Sequence, residues 1–164
     1  MPNRRRVIAG GMALAITGCT SKFRAYDGPE VTRVVIFKGE HRMFLLNGYT
    51  ILKSYEIDLG FQPKGHKKIE GDGKTPEGSY LIDRKNPGSD FHLSLGISYP
   101  NAQDIADAGA LGLPPGGDIF IHGASGTLGQ SGTDWTFGCI AVSNREIEEM
   151  YAMVNLGTQV DLFP

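Results

Sequence analysis

No stretch of the 164 residues is apolar for long enough to cross a membrane as a helix; the best candidate, residues 7–16, runs for about ten. Basic charge is not in excess either. Lys and Arg total 16 against 18 Asp and Glu, a net charge of −2, which argues against a nucleic-acid binder. Close ligand pairs of the C-x-x-C or H-x-x-x-H kind are missing, so His92, His122 and Cys139 do not read as a zinc site, and no metal is expected. Cysteine itself is scarce, with Cys19 and Cys139 the only two.

What is present divides by composition. Arg4, Arg5 and Arg6 precede an apolar, Ala/Gly-rich stretch that ends in Thr17-Gly18-Cys19. Residues 1–18 therefore read as an export signal that resembles the bacterial lipoprotein type, with Cys19 the residue to be lipidated and tethered to a membrane. The arginines ahead of Val7 also loosely resemble a twin-arginine signal. Either route puts the body of the protein in the periplasm. Without residues 1–18 the net charge moves from −2 to −5, because three arginines and no acid are lost. Residues 19–30 read as a polar linker, and residues 31–163 as one domain with enough apolar content for a core.

The 23 glycines point to turns and away from a helical bundle. Residues 31–38 form a β-branched strand; residues 43–47 and 50–59 pair around Asn47-Gly48, with Ile51, Tyr55, Ile57 and Leu59 alternating. The long loop 60–78 contains Gly71-Asp72-Gly73-Lys74-Thr75-Pro76-Glu77-Gly78, and loops of this length tend to be functional. Its His66-Lys67-Lys68 part reads equally well as a solvated excursion. Strands follow at 79–84, at 91–99 by alternation, and at 118–122, with a short helix at 102–111. Ser143 and Glu146 make a capping box for a helix whose core face is Ile147, Met150, Tyr151 and Val154; Gly157 ends it and residues 158–163 close the sheet as a last strand. The expected fold is a mostly-β sandwich or barrel with one main helix in its C-terminal half.

The chemistry concentrates at residues 119–144. His122 ends one strand, and Cys139 opens the next apolar run after sixteen intervening residues. A thiol nucleophile needs a base within hydrogen-bond reach and donors for the oxyanion it creates. Cys139 has three readings: a buried hydrophobe, a disulfide to Cys19, or a nucleophile. Its place after Gly138, near polar Thr136 and downstream of His122, favours the third. In that reading His122 takes the thiol proton, the ion pair keeps a thiolate populated near neutral pH, and N–H groups around Gly138 and Cys139 receive the oxyanion. His41 and His66 sit in turns and read as solvated, while His92 sits in a strand and at most borders the cleft. Tyr80 and Trp135 are core or ligand-facing aromatics; Lys74 is a solvated lysine or a carboxylate partner.

His122-Gly123, the spacer, Thr136-x-Gly138-Cys139-Ile140 and Asn144 together resemble the catalytic signature of L,D-transpeptidase (YkuD-type) domains. The likeness covers residues 31–163 and extends to the Thr75-Pro76-x-Gly78 turn and the Gly157-Thr158-x-Val160 strand. It departs at Phe137 and Ala141, where the family usually has His and Arg. The resemblance implies a Cys139 nucleophile, a His122 base oriented by the Gly123 carbonyl, and substrate contacts from Thr136, Trp135 and Asn144, with no cofactor. It further implies attack on a peptidoglycan stem peptide at meso-diaminopimelate, a thioester, and resolution by an amine. Two alternatives remain: a thiol amidase that uses water, and a lipid-anchored wall-binding module without activity. A sortase is excluded by the lack of a Thr-Leu-x-Thr-Cys sequence.

Overall fold

The computed structural model describes residues 21–124 and 134–164; the signal-like residues 1–18 and Cys19 lie outside the described residues. Four strands come first: β1 (Arg33–Phe37), β2 (Arg42–Asn47), β3 (Thr50–Glu56) and β4 (Gly78–Asn86). Then follow β5 (Ser94–Ile97), α1 (Ala102–Ala110), β6 (Phe120–His122), β7 (Ile140–Ala141), α2 (Asn144–Met153) and β8 (Gln159–Phe163).

The opening meander forms where local signals are strongest. Asn47 pairs with Thr50 across a turn in which Gly48 takes φ +56°, a conformation that glycine adopts without a Cβ clash. The register slips between Leu45 and Leu46: Leu46 faces Ile51, but Leu45 faces Lys53. That extra residue inverts the alternation, so Ile51 is left 58% exposed while Tyr55, Ile57 and Leu59 enter the core.

The eight strands make one sheet in the order β3-β2-β1-β8-β4-β5-β6-β7. Residues 158–163 were expected to close the sheet. β8 instead lies in its middle, parallel to β1 and antiparallel to β4, with its three central residues buried. Bridges from Asp58 to Ala141 and from Gly60 to Thr136 join the chain leaving β3 to the region of β7. The two ends of the sheet therefore meet, and the sheet curls around a core that includes Ile36, Leu45, Leu95, Ile121, Ile140 and Met150. Only Ser94–Ile97 of the 91–99 segment is strand, and all four residues are buried rather than alternating, with α2 packed against β5 and β6.

Both helices open on capping boxes, Asn101 with Asp104 and Ser143 with Glu146. α1, the short helix expected at 102–111, has nine residues, and α2, the helix of the C-terminal half, has ten. α2 ends at Val154; Gly157, at φ +84°, serves the turn into β8 instead. Residues 22–24 of the expected linker lie along the domain: Lys22 Nζ donates to the carbonyls of Pro87 and His92, and Arg24 pairs with Glu148 at 2.7 Å. Among the described residues no helix is long and apolar enough to cross a membrane.

Candidate active site

β6 places His122 at its C-terminal end, 4% exposed. Its Nδ1–H donates to the carbonyl of Gly123 at 2.6 Å, a bond that assigns the proton to Nδ1 and leaves Nε2 with a free lone pair. The backbone beyond is pinned by Asn144, whose Oδ1 accepts the N–H of Ala124 at 2.8 Å. A Cβ on Gly123 would meet that same oxygen at 2.5 Å, so glycine is what lets the strand end turn here. Cys139 precedes β7, the strand paired parallel to β6, and shares with His122 a cavity of about 240 Å³ lined also by Asp90, Phe91, Ser94 and Asp118. The thiol is partly exposed and sits 3.5 Å from the Asp118 carbonyl.

The turn that delivers Cys139 is held from several directions. Thr136 Oγ1 donates to the Cys139 carbonyl at 2.7 Å and accepts the Gly138 N–H at 3.2 Å. Asp134 accepts the Leu59 N–H and meets His41 Nε2 at 3.0 Å. Gly138 sits at φ +121°, where a Cβ would lie 2.6 Å from the Lys74 carbonyl. Replacing Gly138 by Ala is expected to displace the thiol and lower turnover about a hundredfold, the scale of a lost oxyanion donor. A rate assay beside a thermal melt checks this; near-normal turnover would contradict it.

Electrostatics favour a neutral resting pair. Burial pushes the His122 imidazole below its ordinary range, against the upward pull of its bond to Gly123. Burial also pushes the Cys139 thiol up; the Phe120 N–H and the Lys67 ammonium act against that, and Asp118 adds to it. Both directions work against the ion pair expected from the sequence and suit a proton transfer coupled to attack.

A profile of the YkuD L,D-transpeptidase catalytic domain matches residues 31–162. The chain belongs to this family. YafK of Escherichia coli K12, named as a candidate L,D-transpeptidase, is 31% identical over 127 residues, covering 74% of this chain and 46% of YafK. The crystal structure of the helical cell shape determining protein Pgp2 of Campylobacter jejuni, as its K307A mutant, superposes with a TM-score of 0.64 at 30% identity, over 84% of this chain and 48% of Pgp2. L,D-transpeptidase 1 of Mycobacterium tuberculosis shares the fold, with a TM-score of 0.53 at 12% identity over 82% of this chain and 62% of that one. The chain spans about half the length of the curated relatives it matches.

Within this L,D-transpeptidase domain the residues assigned to substrate find other partners. Thr136 is 3% exposed and spends its hydroxyl on the turn, and Asn144 is committed to Ala124. Trp135 donates its indole N–H to Asp58 at 3.1 Å and packs its ring against His122. All three shape the surroundings of Cys139 and His122. The Gly138 N–H, expected to face the oxyanion, is taken by Thr136. Phe137, by contrast, is 81% exposed and packs edge-on to Phe61.

Other candidates leave the site. Tyr80 is core, its hydroxyl on buried Asp104, and His66 bridges the Glu77 N–H to Asp104 instead of standing in solvent. His41 is likewise paired, with Asp134, and His92 pairs with Glu148 outside the cavity. Lys74 contributes its backbone, against Gly138. Three residues went unsingled by sequence: Phe91, whose ring lies 4.5 Å from that of His122; Asp58; and Lys67, 3% exposed and paired with Asp72 at 3.0 Å. For Lys67 the Gly71-Asp72-Gly73 turn, which holds its partner, was the one available signal. Among the described residues no cluster of His, Cys, Asp and Glu is arranged to hold a metal ion.

Proposed function

We propose that this domain is a peptidoglycan L,D-transpeptidase that works through a Cys139 thioester on stem peptides at meso-diaminopimelate. The observation that carries the reading is the shared cavity of Cys139 and His122, with His122 Nδ1 committed to Gly123 and Nε2 left as the base. His122 Nε2 takes the thiol proton as sulfur attacks the diaminopimelate carbonyl. The Cys139 N–H is our assignment for the oxyanion donor, since that of Gly138 is engaged. Collapse returns the proton to the departing amine, D-alanine or another, and leaves the acyl group on sulfur.

A hydrolase that frees peptide or protein from diaminopimelate is the second reading, favoured by Phe137 and Ala141 standing where the family usually has His and Arg. Muropeptide profiles with and without the protein, run with and without an added D-amino acid, decide between them. Exchange products support the transpeptidase and shortened stems alone the hydrolase; an unchanged profile points to a wall-binding module.

The export reading joins this proposal: a periplasmic domain tethered to a bacterial membrane through lipid on Cys19. Incorporation of labelled palmitate that disappears in Cys19→Ser is its test.

A further inference from the structure

His122 poses an electrostatic problem. The residue is 4% exposed, and the proposed chemistry must charge it, yet among the described residues no carboxylate bonds its ring. In Ser-His-Asp systems a buried aspartate stabilises that imidazolium; here a single peptide carbonyl takes the place. Burying a charge with so little compensation is costly.

Two aromatic rings stand where help is needed. Phe91 lies 4.5 Å from the imidazole, centroid to centroid, with its plane tilted by 40°. Trp135 lies 5.7 Å away at 72°, and the two rings are 6.1 Å apart. Both distances to His122 fall within the roughly 6 Å over which a cation is drawn to an aromatic ring. Trp135 is fixed in place by its N–H bond to the Asp58 carboxylate, and Phe91 by the loop whose carbonyls bind Lys22 and whose Phe91 carbonyl accepts the Gly123 N–H.

We propose that Phe91 and Trp135 form an aromatic slot that stabilises the imidazolium of His122, so that the two rings, with Asp58 behind the indole, take over the duty of the missing carboxylate. Phe91 and Trp135 are positioning residues that act through His122. This rests on the base role given to His122 above. The charged groups around the slot are Asp90 and Asp118 in the cavity, Asp118 being tied to Arg84 at 3.0 Å; Asp58 behind Trp135; and Lys67 on the Cys139 side. His92 and Glu148 pair with each other on the far side of the Phe91 loop. None of these bonds the imidazole.

The test follows the His122 ring by NMR titration in a Cys139→Ala background, which isolates the imidazole from the thiol. Phe91→Leu and Trp135→Leu are each expected to lower its midpoint, by about one pH unit when combined. Phe91→Tyr and Trp135→Phe, which keep a ring, are expected to hold most of it. Thermal melts confirm folding, and the ring-retaining pair keeps the comparison open should a leucine variant fail to fold. A midpoint unmoved in both leucine variants, or moved equally by the ring-retaining ones, overturns the slot. In the Cys139-containing protein the acid limb of carbapenem acylation is expected to fall with the midpoint. A limb that stays while the midpoint moves overturns the link to thiol activation and removes the base role from His122, a result distinct from failure of the slot.

Discussion

Cys139→Ala is expected to abolish turnover of stem-peptide substrates, by 10⁴-fold or more on the scale of lost nucleophiles, while the melting temperature barely moves. The separation of the two effects follows from the surroundings of the thiol. Its sulfur makes only weak polar contacts, 3.5 Å to the Asp118 carbonyl and one from the Phe120 N–H, so its removal costs about 1 kcal/mol or less. The turn does not depend on the side chain, because Thr136 Oγ1 holds the Cys139 carbonyl and the Gly138 N–H, both backbone groups. His122 keeps its bond to Gly123 as well. Product analysis and a melt of the same preparation check both halves. Residual turnover at a tenth of wild type, or a fall of several degrees, would mean that the residue is structural.

Asp72→Ala is expected to have the largest effect on stability, about 3–5 kcal/mol. The Asp72 carboxylate accepts the N–H groups of Lys68, Ile69 and Lys74 and pairs with the Lys67 ammonium. Lys67 is 3% exposed, and without Asp72 its charge is left with the Ile69 carbonyl alone. For a domain of this size the loss amounts to a fall of roughly 10 °C in melting temperature. Activity is expected to fall with it, because the same loop sets the Lys74 carbonyl against Gly138, next to the thiol. The double variant Lys67→Met/Asp72→Ala, which removes both charges, is expected to recover most of the stability.

The same carboxylate fixes a pH dependence. Burial pushes the Asp72 carboxyl up, but the N–H groups of Lys68 and Lys74, the Lys67 ammonium and the Ile69 N–H outweigh it and hold the group below its ordinary value. A folded-state value below the unfolded one, near about 4, means that the contribution is complete above that pH. It is then lost as pH falls through the lower, folded value. Denaturant midpoints measured down through the acid range are expected to decline less in Asp72→Asn than in wild type. Parallel curves would contradict this account of the loop.

Legibility from sequence followed the distance over which each decision is made. The Asn47-Gly48 hairpin and the Ser143–Glu146 capping box are decided within four residues, and both form as read. The place of β8 between β1 and β4 is set by partners far along the chain, and nothing in residues 158–163 announces it. Ile51 was misread because an extra residue in its own strand, Leu52, shifts the alternation, and Lys67 was left open because a buried lysine in a His-Lys-Lys run looks like any solvated one. Of the residues that spacing singled out, the structure brings His122, Gly123, Trp135, Thr136, Gly138, Cys139 and Asn144 together. Of their hydrogen bonds, the one from His122 to the Gly123 carbonyl was implied by the family resemblance and forms; the others were beyond reach. Thr136 and Asn144 turned out to hold backbone, and the Phe91 ring beside His122 comes from a loop with no motif.

The central claim is that one sulfur, served by one imidazole, forms a bond to an acyl group. Intact mass followed by peptide mapping after incubation with a carbapenem measures it directly. The account predicts a single adduct on the peptide that contains Cys139, absent in Cys139→Ala and formed far more slowly in His122→Ala. An unmodified protein, or an adduct formed as fast without His122, would contradict it.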